Sequence, residues 1–178
     1  SSFNKENTRK RIIVSSMDYK KHNKYILIAS SLYSLFVVIL YTILAFIIFG
    51  SLTFSERGLL YILNTFIFSF VALCMALFIS TLVKSKEAVS GIVNVVALSQ
   101  AFLCGAFIPT MWLPESVIKI AHLLPAYWYI NTNDFLAELE VLSFTNLKPI
   151  WINMLILIGF AVIFIILNNI ASRKKMVS

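Results

Sequence analysis

Residues 59–83 read LLYILNTFIFSFVALCMALFISTLV, a run without a single Asp, Glu, Lys, Arg or His. At about 1.5 Å of rise per residue, a helix of this length covers a hydrocarbon core about 30 Å thick. A soluble helix keeps a polar face at every turn or so, and this run has none. Three further stretches, 25–49, 88–108 and 150–170, lack the same five residue types. Lipid offers backbone N–H and C=O groups no partner, so each stretch has to be helical. The 178-residue chain is 60% hydrophobic and 13% charged, more apolar than a soluble domain of its size. The sequence therefore predicts an all-α integral membrane protein. Four transmembrane helices, 25–49, 59–83, 88–108 and 150–170, follow a basic lead-in at 1–24. A soluble core of strongly apolar helices is the alternative.

The cations fix an expected orientation. Lys5, Arg9, Lys10, Arg11, Lys20, Lys21 and Lys24 precede the first stretch, Lys84 and Lys86 join the second to the third, and Arg173, Lys174 and Lys175 follow the fourth. Only Arg57, Lys119 and Lys148 fall on the other side, and the two sides carry +9 and −2 of the net +7. The positive-inside rule then places both termini in the cytoplasm. The basic balance is accordingly topological and does not imply nucleic acid, although the N-terminal cations suit anionic membrane lipid. Thr8 and Ser16 can each cap a short basic helix in the lead-in. Ser1 and Ser2 stand where an initiator Met is expected, so the chain reads as lacking its native start.

Between the third and fourth stretches the composition changes. After Gly105 come Pro109, Trp112, Leu113 and Pro114, and Val117, Ile120, Ala121 and Leu124 then recur at helical spacing before Pro125. Pro114 suits a helix start, and Pro125 cannot continue one. A helix of about ten residues rises about 15 Å and cannot cross. The expectation is a broken third helix and a short amphipathic helix in the outer leaflet, within an outer re-entrant segment at 109–129. Tyr127, Trp128 and Tyr129 would mark the interface. A plain outer loop is the simpler reading.

The residues exclude several chemistries. No G-x-x-x-x-G-K-[ST] loop occurs, so the chain holds no phosphate cradle of its own. The four stretches offer no acid, base or His for hydrolysis or for proton coupling. Cys74 and Cys104 have no ligand spacing and read as buried apolar residues. His22 and His122 lack partners and read as surface residues. What the stretches do carry is small residues in register: Thr65, Ser69, Ala72, Ala76 and Ser80 in the second, Ser90, Asn94, Ala97, Ala101 and Gly105 in the third. Such stripes serve close helix packing or line a translocation path. Gln100 is the deepest strongly polar side chain. It is either the best candidate for touching cargo or an inter-helix hydrogen bond. Thr65, Ser69 and Asn94 are the other path candidates, while Asn64 lies nearer a span end.

The order of basic lead-in, span, short loop, span, short Lys-containing loop, span, Gly105–Pro109–Leu113–Pro114, short apolar helix, Pro125 and final span resembles the C-terminal part of type-2 ATP-binding-cassette (ABC) exporter permeases. The similarity covers essentially the whole chain and is most specific at 105–127. It implies a six-span permease whose first two spans are not in this chain, which is then a fragment or one of two polypeptides. It also implies a coupling helix at 6–19 that sits on an ATPase subunit, with Glu6, Arg9, Arg11, Ser15 and Asp18 at the contact and Lys84 and Lys86 in a second, smaller one. Gly105, Pro109, Pro114 and Pro125 would frame the re-entrant element. ATP and Mg would be bound by the partner and no cofactor by this chain, and a second permease subunit would complete the transporter. The expected function is ATP-driven export of an amphipathic or hydrophobic drug, lipid or peptide across a bacterial plasma membrane. A membrane scaffold or sensor, or an ATP-independent channel or scramblase, are the alternatives.

Overall fold

The computed structural model describes residues 19–83, 85–140 and 142–177. Glu6, Arg9, Arg11, Ser15, Asp18 and Lys84, expected at the ATPase contact, lie outside them, as do the caps Thr8 and Ser16. Two compact units divide the chain at Tyr33 and Ser34. The first contributes the opening of helix α1, Tyr19–Phe49, and the second holds the rest. A 3₁₀ turn, Gly50–Phe54, leads from α1 into α2, Glu56–Leu82. Next come α3, Lys86–Leu103, a 3₁₀ turn at Thr110–Trp112, α4, Glu115–Ala121, α5, Pro125–Glu138, and α6, Phe144–Val177. The described residues are helical through nearly all of the expected spans 25–49, 59–83 and 150–170.

Local chemistry sets the helix starts. Ser55 and Ser85 each accept a hydrogen bond from a backbone N–H three residues on, Gly58 at 3.2 Å and Ala88 at 3.0 Å. Glu56 and Glu87 follow directly, where the helix dipole favours negative charge. Three helical stretches are long and apolar enough to cross a membrane: Ile28–Phe54, Glu56–Leu82 and Asn146–Ser172. Their lipid-like exteriors are explicit, since Ile47 and Ile48 are each 72% exposed, as an aqueous solvent would not tolerate over so broad a patch.

The expected span at 88–108 is corrected. Its helix stops at Leu103, leaving the shorter apolar helix Glu87–Leu103 in place of a fourth full-length one. The cause is Gly105, whose φ of +106° cannot continue a right-handed helix. Cys104 caps the end by donating its N–H to the Gln100 carbonyl at 2.9 Å. A Cβ on Gly105 would lie 2.8 Å from the Thr110 methyl, so the turn back toward α4 is closed around that glycine.

α2 and α6 run parallel. Leu60 and Tyr61 pack on the cluster of Leu136, Ile150 and Met154, and Val71 and Cys74 pack with Leu157 and Ala161. Phe78 meets Phe164 at 6.3 Å between ring centroids, and the Thr81 hydroxyl donates to Asn168 Oδ1 at 2.6 Å. Contacts thus advance in the same direction along both helices. Parallel neighbours oblige the chain to return from the Leu82 end to the Glu56 end between them, and it does so in two steps. α3 brings the chain to Cys104, which packs with Ala121 and Ala126 against Phe68, about halfway along α2. α5 then climbs the rest. Tyr129 stacks on Phe68 with centroids 4.4 Å apart, the Tyr61 hydroxyl donates to the Asn133 carbonyl at 3.2 Å, and Arg57 donates to the Leu139 carbonyl.

The 109–129 segment also departs from expectation. The helix foreseen through Leu124 ends at Ala121, and its exposed Lys119–Glu115 pair is worth little in water. Pro125, foreseen only as a stop, is the first residue of α5, where its missing N–H costs nothing.

Candidate functional site

The site is a polar seam where α5 lies between α2 and α6. On α5, Pro125, Tyr129, Thr132 and Leu136 recur at steps of four, three and four, so they share one face. Thr132 and Leu136 are completely buried. Apolar residues alone would let this short helix slide along its neighbours, and side-chain amides fix it. Asn64, fully buried on α2, donates through Nδ2 to the Tyr129 carbonyl at 3.0 Å and to Asn133 Oδ1 at 2.9 Å. From the other flank Asn153 of α6 donates to Asn131 Oδ1 at 2.9 Å. The Thr132 hydroxyl turns back on its own helix, to the Trp128 carbonyl at 2.8 Å. Asn64 Oδ1 is buried with no hydrogen-bond partner among the described residues.

Gln100 stands at the lower end of this seam. It is 5% exposed, and its Oε1 accepts the Ala126 N–H at 3.3 Å, one of the donors that an α-helix N-terminus leaves unpaired. Its Nε2 points at Met75 Sδ, 3.7 Å away. Gln100 therefore ties the end of α3, the start of α5 and the C-terminal half of α2 together.

Of the other path candidates Thr65 reaches the seam through the Tyr129 hydroxyl, and Ser69 and Asn94 do not join it. Thr65 donates to the Tyr61 carbonyl at 2.8 Å, with the Tyr129 hydroxyl 3.4 Å away. Ser69 meets the buried Ser34 of α1 at 2.5 Å, so the α2 stripe lies against α1 there. Asn94 is exposed on α3, as are its stripe neighbours Ser90 and Ala97. Gly105 makes the turn, Pro109 and Pro114 precede the 3₁₀ turn and α4, and Pro125 opens α5, so the four landmarks bound one hairpin. Lys86 begins α3, and its side chain lies outside the described residues. The aromatic triplet packs inward rather than lying free. Tyr127 adjoins the Cys104 cluster, and Trp128 Nε1 donates to the His122 carbonyl at 3.0 Å.

Sequence reasoning passed over Asn131, Asn133 and Asn153. The signal was there for the first two, an Asn-Thr-Asn run just beyond the aromatic triplet. The seam is uncharged, and no group of three metal-ligating residues occurs among the described residues. It can hold and orient a helix or an uncharged polar group, but it supplies no acid or base.

No curated protein and no solved structure matches the chain. The family model described as ABC-2 family transporter protein matches residues 2–169, nearly the whole length. It covers α1 through all but the last turns of α6, including the hairpin framed by Gly105 and Pro125. A multi-pass helical protein with this match is the membrane component of a transporter, and the chain belongs to the ABC-2 transporter family.

Proposed function

We propose that this chain is a permease subunit of an ATP-driven exporter that moves an amphipathic or hydrophobic substrate across a bacterial plasma membrane. The observation that carries this reading is the family match over residues 2–169. The parallel α2–α6 pair adds to it, because two parallel crossings need a return between them. On this reading α3 and α5 together make the fourth crossing. The hairpin between them is re-entrant, capping the path from the outer side, and both termini are cytoplasmic. The uncharged seam favours uncharged or amphipathic cargo, since bare charge is costly in lipid.

The lead-in, with Glu6, Arg9, Arg11, Ser15 and Asp18, and the turn with Lys84 and Lys86 would receive an ATPase subunit that binds ATP and Mg. A second permease would complete the assembly. ATP-driven closure of the ATPase pair would push the lead-in, and the block of α2, α5 and α6 would tilt as one body. Replacing Arg9, Arg11 and Asp18 together is then expected to leave folding and basal ATP hydrolysis intact while abolishing substrate-stimulated hydrolysis in the reconstituted complex. Co-purification of an ATPase subunit with the wild type, and stimulation by lipid, peptide or drug, test the reading itself. Normal stimulation in the triple variant would refute the coupling assignment, and stimulation by small ions alone would refute the cargo class.

A further inference from the structure

A cavity of about 910 Å³ opens where α1, the Gly50–Phe54 turn and α2 meet, well apart from the polar seam's Gln100 end. Phe49, Leu52, Ile62 and Leu142 give it apolar walls. Three polar residues stand among them. Arg57 binds the Leu139 carbonyl with one of the five N–H groups of its guanidinium, leaving the others available. Glu56 is exposed beside it, and the two make no ion pair with each other among the described residues. Thr53, 6% exposed, lines the cavity, and its hydroxyl has no hydrogen-bond partner among the described residues.

We infer that this cavity binds one phospholipid whose headgroup carries a primary amine, such as phosphatidylethanolamine. The apolar walls receive an acyl chain, Arg57 holds the phosphate and Glu56 the ammonium. The charge pattern selects this occupant. An apolar wall gives an acyl chain no advantage over the surrounding lipid, because the lipid tails are equally apolar. Selectivity must come from the headgroup. One guanidinium and one carboxylate side by side complement a zwitterion bearing donor hydrogens, whereas an anionic glycerol headgroup would meet Glu56 unfavourably and a choline could not donate to it. The volume lies within the range of small-molecule sites. The inference rests on the permease reading only in placing the Gly50–Ser55 end at headgroup level.

The test uses the full chain in nanodiscs with photoactivatable acyl-chain probes on phosphatidylethanolamine, phosphatidylcholine or phosphatidylglycerol, followed by peptide mapping. Labelling of residues 49–62 is expected to be about fivefold stronger with the ethanolamine probe, from about 1 kcal/mol of exposed charge pairing. Arg57→Gln should reduce it about tenfold, while Arg57→Lys, which keeps the charge, should retain most of it. Glu56→Gln should erase the preference over phosphatidylglycerol. Equal labelling by all three probes, no response to Arg57→Gln, or a cysteine at Leu52 cross-linking to a second copy of the chain in place of lipid labelling would each overturn the proposal. The readout needs no ATP. Loss of ATP coupling with labelling intact would therefore count against export alone, and loss of labelling with coupling intact against the lipid site alone.

Discussion

Gly58→Ala is expected to be the most damaging of the alanine substitutions at this protein's five glycines. A Cβ at Gly58 would sit 2.2 Å from the Thr53 carbonyl oxygen and 2.6 Å from its carbon. Both are backbone atoms of the tight 3₁₀ turn, so no side chain can swing away. Either the start of α2 or the turn itself has to move, with the Ser55 cap at risk in both cases. Overpacking of this kind costs about 3 kcal/mol, the upper end of its usual range, because the neighbour is main chain. Gly91 and Gly159 are the internal controls. Nothing lies within 4 Å of a Cβ at either, so alanine there should stabilise by about 0.5–1 kcal/mol through helix propensity. Melting temperatures of the three variants in one detergent check the contrast. A Gly58→Ala protein as stable as Gly159→Ala would mean that the turn is not built as described.

Asn64→Asp is the second. The amide is fully buried and its Nδ2 supplies two of the hydrogen bonds that hold α5 to α2. A carboxylate there would face the Tyr129 carbonyl and Asn133 Oδ1 with acceptors instead of donors. Asn64 has no hydrogen bond or ion pair to a cation among the described residues, so a carboxylate there would be buried without a partner, at a cost of about 3–5 kcal/mol. Asn64→Ala loses the same bonds but buries no charge, and about 1–2 kcal/mol is expected, since inter-helix hydrogen bonds in membranes are individually modest. The two variants together separate charge from hydrogen bonding. Hydrogen exchange should localise the damage to α5 in both, with α1 unchanged. Equal losses in the two variants would show that the seam acts through packing alone.

The long helices were legible because a run such as 59–83 has no soluble alternative, and Ile28–Phe54, Glu56–Leu82 and Asn146–Ser172 fall close to the expected limits. The end of the third helix was harder. Residues 104–108 are as apolar as those before them, and only the conformation of Gly105, at φ +106°, shows that the helix stops. α5 was missed because Pro125 reads first as a terminator, and the aromatic triplet draws attention to an interface. Its buried positions nonetheless follow the helical step from Pro125 to Leu136. The seam itself could not be read in advance. Asn64 and Asn133 are 69 residues apart, Gln100 and Ala126 are 26 apart, and no local pattern announces which amide meets which carbonyl. What the sequence does disclose is that an amide such as Gln100, inside an apolar run, needs some partner.

On the proposed topology α3 and α5 together carry the chain back across the membrane, so that α2 and α6 cross in the same direction. Single cysteines at Glu87 and Ser116, both exposed positions, test it in intact cells with a membrane-impermeant maleimide. The native Cys74 and Cys104 are buried, at 2% and 0% exposure, and should contribute little background. The account predicts labelling of Ser116→Cys from outside, and of Glu87→Cys only after the cells are permeabilised. Labelling of both from the same side would mean that the chain does not cross between them, and the permease topology would fall.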